Sequence, residues 1–379
     1  MLKKRCLGKR GIALQFNWIF VLIGGAIFLG FFFSLIMNQA KQAELGSAVD
    51  STTELDAFLK VSSASGETQK VVKFGTKGQK IIFRCDDGRS DYFVEGADTW
   101  SDHNYHVIFS PTELKGRDLV VQTLIFEAPF RVMPFVYVTD TAIEYVFVGE
   151  GGQISPLLNL IINEMPLNAT KKFIILDSPN NDIPDYRAAI TNYKDNNYER
   201  TVFVTSNTTL LDALKLNDFQ RNPGKVFGVA VMPGQSTVAE YGSLTFFHYN
   251  STAGFVSDGD SPFIRDGVPP EMRQKMALGG VISHNKGIYE CNLKKLLRRT
   301  ELLTKLHKDR MIYYYDHSPI ECQLYYWGPD SADTYLEDIK SYSSKGEVTS
   351  SNFNDLFISI NKLVVRNNLL LSQGCARIY

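Results

Sequence analysis

Residues 143–176 read IEYVFVGEGGQISPLLNLIINEMPLNATKKFIIL, and this stretch decides the fold class of the chain. The runs 143–149 and 171–176 are short, apolar and rich in β-branched or aromatic residues, which is typical of buried strands. Between them, residues 154–165 carry apolar side chains at helical spacing. A strand, a helix and a second strand in this order predict a parallel β-sheet with helices packed on it.

The same alternation continues toward the C-terminus as far as residue 250. Further apolar runs predict three strands and one helix. These runs are TVFVTS (201–206, strand), TLLDALKLNDF (209–219, helix), KVFGVAVM (225–232, strand) and SLTFFHY (243–249, strand). We therefore interpret residues 141–250 as an α/β core, a Rossmann-like and mostly parallel sheet with packed helices.

The segments on either side of this core differ from it in pattern. Residues 70–140 hold six short β-branched and aromatic runs separated by Gly, Asp and Pro, which predicts a β-rich part of the domain. Residues 251–290 are rich in Gly, Pro and Asp and predict an irregular excursion. Residues 291–379 predict a helical part with two helices, 292–312 and 352–371, each with one apolar face.

The first forty residues have the pattern of a membrane anchor. Residues 1–11 carry five basic residues and no acidic one, and residues 12–40 carry no charge. An apolar stretch of roughly 20 residues crosses a bilayer core, whereas a secretory signal has only about 7–15 apolar residues. We therefore predict a retained transmembrane helix at 12–40, with cleavage near residue 40 as the alternative. The positive-inside bias places residues 1–11 in the cytoplasm and the remaining domain outside.

The net charge of −1 for the whole chain conceals this asymmetry. Of the 40 basic residues, five lie in the first eleven positions, so 35 basic and 41 acidic residues remain and give a net charge of −6. This balance argues against nucleic-acid binding. Residues 41–69 have a loose helical period and a polar end, which we interpret as a stalk and linker. The predicted partner is the lipid bilayer, with other envelope or pilus-like proteins as further candidates.

Arg10 and Gly11 directly precede the uncharged helix. This arrangement resembles the processing site of archaeal class III signal peptides, which archaellins and type IV pilins carry. The resemblance implies cleavage between Gly11 and Ile12 and packing of the helix into a filament core. The family often has a Glu at the fifth position after the cut, but IALQF offers only Gln15, at the fourth position. An ordinary signal anchor explains the same residues.

A second resemblance covers the whole chain. The stretch FNWIFVLI (16–23) is similar to the anchor of single-pass surface proteins from small-genome archaea. This similarity implies a surface location and no particular activity.

One stretch of the α/β core suggests a nucleotide site. Gly149 and Gly151 follow the first core strand and Asp177 ends the second, as in a dinucleotide-binding turn. The third glycine position is occupied by Ile154, so the fingerprint is incomplete. Nicotinamide cofactors are also cytoplasmic. We therefore favour a tight strand–helix turn and predict no cofactor.

Two serines invite comparison with hydrolase nucleophiles. Ser261 lies in a GDS motif, but none of the six His residues follows an Asp at the spacing that GDS hydrolases use. Ser236, in PGQST, lacks the second glycine of a nucleophile elbow. We therefore predict no catalytic residue.

Two polar clusters have the residue types of a metal site. The first consists of Asp102, His103 and His106. The second consists of Asp258, Asp260 and Asp266. The first cluster has no Cys or further His near it, and the second misses the calcium-loop spacing of an EF-hand. We interpret both clusters as solvated acidic loops and predict no metal.

Three sequons begin at Asn168, Asn207 and Asn250. With this content of Asn, Ser and Thr, about three are expected by chance, so they permit glycosylation without arguing for it.

The cysteines give the most specific structural prediction. Cys6 lies on the cytoplasmic side, and the four outside cysteines allow three pairings. Cys322 follows the first C-terminal helix and Cys375 follows the second, so we predict Cys322–Cys375, which leaves Cys85–Cys291. An oxidising exterior favours these bridges over four buried free thiols.

Taken together, these patterns predict an α/β ectodomain carried on a transmembrane helix. We expect a non-enzymatic surface, adhesion or pilus-like assembly component. The alternative is an exported α/β hydrolase that acts on envelope polymers, since the strand ends of such sheets commonly hold active sites.

Overall fold

A computed structural model gives the architecture of the chain as one long helix, three β-sheets and a C-terminal group of helices. The structure describes residues 10–73, 79–95, 100–103, 106–150, 153–176, 198–213, 223–232, 242–263 and 270–379.

Helix α1 (Arg10–Ser65) is continuous over 56 residues. Its segment Val21–Gln39 has a mean hydropathy of 2.1 and is not buried by the rest of the protein, so it is a candidate membrane anchor or signal sequence. The predicted stalk is helical as far as Ser65, and it is not a free spacer. Leu55 and Leu59 are fully buried in the core, because the last turns of α1 pack on the β-rich part.

Residues 68–140 form two four-stranded sheets, and all six predicted runs are strands. The strands are β1 (Thr68–Lys73), β2 (Ile81–Asp86), β3 (Arg89–Val94), β4 (Ser101–Asp102), β5 (Val107–Phe109), β6 (Glu113–Leu114), β7 (Asp118–Glu127) and β8 (Arg131–Asp140). One sheet has the order β1-β7-β8-β5 and the other β4-β3-β2-β6. Strand β5 is short and lies at the edge of its sheet, where β8 is its single partner among the described strands. Its outer edge is therefore available to another element.

The third sheet is mixed and has six strands in the order β10-β9-β11-β12-β13-β14. Its elements are β9 (Ile143–Glu150), α2 (Pro156–Glu164), β10 (Thr170–Leu176), β11 (Arg200–Thr205), α3 (Thr208–Ala213), β12 (Val226–Met232), β13 (Gly242–Asn250) and β14 (Gly254–Phe263). Strands β10, β9, β11 and β12 run parallel to one another, whereas β13 and β14 are antiparallel to their neighbours. Helix α2 begins at Pro156, and its cap is the Ser155 hydroxyl, which accepts from the Leu158 N–H at 3.4 Å.

The C-terminal part consists of five helices. They are α4 (Pro270–Ser283), α5 (Lys286–His317), α6 (Ile320–Tyr326), α7 (Ala332–Ser344) and α8 (Ser350–Ser372). The two predicted helices correspond to α5 and α8. The irregular excursion predicted for 251–290 is wrong, because this range contains β14, α4 and the start of α5.

Glycines in α4 explain part of that error. A Cβ atom on Gly279 would lie 2.8 Å from the ring of Phe109, and one on Gly280 would lie 2.3 Å from the Leu244 side chain. These glycines let the helix approach two sheets closely, whereas in sequence they have the pattern of turn residues.

Two disulfides connect the parts of the domain, and both coincide with the sequence prediction. Cys85 on β2 is bonded to Cys291 on α5, and Cys322 on α6 is bonded to Cys375 after α8, each with a Cα–Cα distance of 5.8 Å. The bonds fit an oxidising compartment.

Candidate functional site

Helix α5 is fixed against the edge of β5 by a side chain that imitates a neighbouring strand. The Asn292 amide accepts from the Ile108 N–H at 2.9 Å and donates to the Ile108 carbonyl at 2.7 Å. The Cys85–Cys291 bond attaches the preceding residue to β2. These contacts place the N-terminal half of α5 across both β-rich sheets.

One turn later, the side chain of Lys295 is buried, and its hydrogen-bond acceptors in the described part of the chain are all neutral. Its ammonium donates to the Ser90 hydroxyl at 2.7 Å. It also donates to the carbonyls of His106 at 2.6 Å and His103 at 3.2 Å. Burial lowers the pKa of Lys295 to about 7, although nearby carboxylates oppose this shift. Three acceptors match the three N–H groups of an ammonium, so Lys295 holds the β3 hairpin and the segment before β5 together.

A cavity of about 770 Å³ opens beside Lys295, between α5 and the first residues of β8. It is within the size range of small-molecule sites. Its basic lining residues are Arg89, Arg131, Lys295, Arg298 and Arg299. Its apolar lining residues are Val132, Met133, Pro134, Leu302 and Leu303. We call this cavity the basic pocket. No acidic side chain among the described residues lines it, in a domain that is negatively charged overall.

The cations of the basic pocket differ in how far they are neutralised. Arg298 donates to the Asp87 carboxylate at 2.9 Å and is therefore paired. Arg89, Arg131 and Arg299 are exposed and make no ion pair within the described ranges. These three guanidinium groups give the pocket a positive potential that favours an anion.

His106 forms part of the pocket floor and lacks a full set of hydrogen bonds. It is 8 % exposed, and neither ring nitrogen has a hydrogen-bond partner at normal distance among the described residues. Burial, together with His103 and Lys295, lowers the pKa of His106 to about 4, and only the Leu59 backbone acts against this. The ring is therefore neutral at physiological pH, and at least one nitrogen remains for a ligand.

The pocket floor is connected to helix α1. His103 Nε2 lies 2.8 Å from Asp56 Oδ1, and the Tyr92 hydroxyl donates to the same carboxylate. The rings of His103 and His106 lie 5.6 Å apart. Because Asp56 belongs to α1, the same polypeptide segment supports the pocket and joins the domain to the apolar helix.

Ser90 and Lys295 have the residue types of a nucleophile and its base. Ser90 is 4 % exposed and does not line the pocket, and its hydroxyl also contacts Cys85 Sγ at 3.4 Å. A nucleophile must reach its substrate, so this geometry favours a structural pair.

The nucleotide-type turn in the α/β core is filled by the protein's own backbone. A Cβ atom on Gly149 would lie 2.4 Å from the Gln153 carbonyl oxygen, so the glycine serves the turn between β9 and α2. This agrees with the tight turn favoured from the sequence. Ile154 packs against the core. Gly151 and Asp177 lie outside the described residues.

Of the two serines compared with hydrolase nucleophiles, the structure describes only Ser261. Ser261 is 1 % exposed on β14, and its hydroxyl donates to Glu290 Oε1 at 2.6 Å. Ser236 lies outside the described residues.

The interpretation of the two polar clusters as solvated loops is wrong for His103 and His106. It is right in part for Asp258 and Asp260, which are exposed but lie on a strand. His103 and His106 are buried, because both pack beside Lys295 and the end of α1. Asp258 and Asp260 belong to β14, where they contact His248 at 2.7 Å and Thr245 at 2.6 Å across the strand pair. Asp102 is exposed and Asp266 lies outside the described residues. Within the described ranges, no three His, Cys, Asp or Glu side chains are arranged to hold a metal.

The sequon asparagines lie at or near the surface. Asn168 and Asn250 are exposed and Asn207 is half-buried. The Asn207 and Asn250 side-chain oxygens accept from the backbone N–H groups of Thr209 and Thr252, at 3.0 and 2.8 Å. The side-chain oxygens of these two residues stabilise local turns.

The basic pocket was missed by sequence reasoning because its residues come from four separate segments of the chain. Only α5 offered a signal: Lys295, Arg298, Arg299, Leu302 and Leu303 follow the spacing i, i+3, i+4, i+7, i+8 of one helix face. Comparison with protein-family models, curated proteins and solved structures finds no match to this chain. The site is therefore interpreted from its own chemistry.

Proposed function

We propose that this protein is a non-enzymatic, membrane-anchored envelope component whose ectodomain binds an anionic ligand in the basic pocket. The observation that carries the proposal is the pocket lining, with five basic side chains and no described acidic one. A charge-assisted contact to Arg131 or Arg299 stabilises a bound anion by roughly 1.5–3 kcal/mol. Adhesion or pilus-like assembly on an acidic surface polymer is a biological role of this kind.

Inorganic pyrophosphate is a suitable probe of this pocket. We expect the full chain in phosphatidylcholine nanodiscs to bind pyrophosphate, more weakly at higher salt. Arg299→Gln lowers the affinity about tenfold, which corresponds to one lost charge-assisted bond. Arg310→Gln is the matched control, because Arg310 is exposed on the same helix and lies outside the pocket. No pyrophosphate binding, or equal losses in both variants, would contradict the proposal.

We further propose a single-pass topology with residues 1–11 in the cytoplasm and the ectodomain outside. The basic N-terminus, the uncharged span and the two disulfides support it. The protein should remain in membranes after carbonate extraction, and externally added protease should reach the ectodomain in intact cells. Recovery in the soluble fraction would exclude a retained anchor.

A pilus-like assembly requires processing at the N-terminus. Gly11 and Ile12 are the second and third residues of α1. If a class III peptidase acts here, mass spectrometry of the mature protein finds an N-terminus at Ile12. A peptide that starts at Met1 would exclude processing and leave the anchor unaffected.

We also propose that the parallel strands β10, β9, β11 and β12 form a Rossmann-like core. Their order and the crossover through α2 support this assignment. In this proposal the core is a scaffold, since Gly149 approaches its own backbone in the turn.

The exported hydrolase is the second candidate, and the Ser90–Lys295 distance of 2.7 Å favours it. A serine-reactive fluorophosphonate tests it directly. We expect no labelling of Ser90, since this residue is buried. Labelling that is lost in Ser90→Ala would replace the non-enzymatic proposal with a hydrolase.

A further inference from the structure

The α5 wall of the basic pocket changes character along the helix axis. Lys295, Arg298 and Arg299 line its first part, and Leu302 and Leu303 line the following turn. Eight residues of helix span about 12 Å. A ligand that lies along this wall therefore meets cations at one end and aliphatic side chains at the other.

The opposite wall supplies the same two kinds of group. Arg131 begins β8, and Val132, Met133 and Pro134 follow it directly in the lining. All apolar lining residues are aliphatic, and no Phe, Tyr or Trp in the described part of the chain lines the pocket. A small hydrophilic anion would use the cations but leave this aliphatic surface in contact with water.

His106 marks the polar end of the pocket. It lies beside Lys295, is more than nine-tenths buried and has an unsatisfied ring nitrogen. An oxygen-rich head group can satisfy this nitrogen and contact the nearby guanidinium groups at the same time.

We infer that the basic pocket binds a single-chain amphipathic anion, whose phosphate or carboxylate lies near Lys295 and whose aliphatic chain lies along Leu302 and Leu303. This inference rests on the proposed anion binding and names the class of ligand. The ligand comes from solution rather than from the supporting bilayer. The reason is the length of α1 between the membrane and the domain: the helix spans about 24 Å from Gln39, where the apolar segment ends, to Leu55, which is buried in the domain.

An alkyl phosphate series tests the inference on the full chain in phosphatidylcholine nanodiscs, with the signal of empty nanodiscs subtracted. Butyl, hexyl and octyl phosphate share one head group and differ only in chain length. We expect the affinity to rise about fourfold per added methylene until the aliphatic wall is filled. Equal affinities for all three phosphates would overturn the inference.

Two leucines on α5 provide a matched pair of variants. Leu302 lines the pocket and is 56 % exposed, whereas Leu306, one turn later, lies outside the lining and is 61 % exposed. Leu302→Ser should lower the affinity for octyl phosphate about tenfold and leave butyl phosphate unchanged. Leu306→Ser should change neither. The same chain-length dependence in both variants would place the alkyl chain outside the pocket and overturn the inference.

Two further results test separately where the ligand comes from and whether the pocket binds anions at all. Phosphatidic acid in the nanodisc should not compete with octyl phosphate, and competition would overturn the solution source. If pyrophosphate bound but the alkyl phosphates showed no chain-length dependence, only the inference of an amphipathic ligand would be disproved. If no anion bound, the proposed function would be disproved as well.

Discussion

The two halves of helix α5 both carry several basic residues but use them differently. In the C-terminal half, Lys305 pairs with Glu301 at 2.7 Å, and Lys308 lies 3.1 Å from Asp333 and also contacts Glu337. In the N-terminal half, Arg299 has no acidic partner within the described ranges. Lys308 therefore connects two helices and Lys305 stabilises its own helix, whereas Arg299 remains available for a ligand.

Removing the disulfide that holds the N-terminal half should have the largest effect. The paired change Cys85→Ser and Cys291→Ser should lower the free energy of unfolding by roughly 2–5 kcal/mol, because the bond closes a very long loop. It should also weaken pyrophosphate binding, since α5 forms one pocket wall.

The paired change Cys322→Ser and Cys375→Ser is the control for that effect. This bond lies at the C-terminal helices, so the variant should lose stability while its pyrophosphate affinity stays within twofold of wild type. Denaturant unfolding and pyrophosphate titration of both variants in nanodiscs make the comparison. Equal losses of affinity would show that the Cys85–Cys291 bond has no specific role in shaping the pocket.

The same comparison explains which features the sequence could predict. The strand at 143–149 was evident because burial on both faces of a sheet demands a continuous apolar run. The run 171–176 also forms a strand, although it lies at the sheet edge and its Phe173 and Ile175 side chains are about half exposed. The disulfides followed from counting four outside cysteines and from the positions of two helices. Local pattern and composition were sufficient for these features.

The basic pocket required information that no local pattern contains. Arg89, Arg131 and Lys295 are separated by up to about two hundred residues, and they meet because Asn292 pairs with the edge of β5. An asparagine inside a helix has no sequence signal for this role. The burial of His106 depends on the docking of α1, which the Leu55 and Leu59 spacing indicated only loosely.

Acidification should have the next largest effect, a loss of folding stability through protonation of His106. His106 has a folded-state pKa of about 4 against about 6.5 when unfolded, so the unfolded chain binds more protons between these values. Stability is therefore complete above pH 6.5 and falls as the pH decreases toward 4, by roughly 3 kcal/mol from this residue.

His307 on the C-terminal half allows a control for the pH effect. Burial lowers its pKa in the same direction, and its Nδ1 contacts the Ile378 carbonyl at 3.3 Å. His106→Asn should flatten the pH dependence of the unfolding midpoint and weaken anion binding, whereas His307→Asn should affect only stability. A pH profile of His106→Asn identical to that of wild type would disprove the assignment.

The smallest expected effects come from one substitution in each half of α5, and they distinguish a role in stability from a role in binding. Lys308→Met removes a cation that lies between two carboxylates and should lower the free energy of unfolding by about 1 kcal/mol, since such partly exposed pairs contribute little. Its pyrophosphate affinity should not change, because Lys308 lies outside the pocket. Arg299→Gln should have the opposite profile, with stability within about 0.5 kcal/mol of wild type and an affinity reduced about tenfold. Unfolding midpoints and titrations of the two variants, measured in the same nanodiscs, decide the matter. If Lys308→Met weakened binding as much as Arg299→Gln, the anion would be held by the general positive field of α5 and not by the pocket.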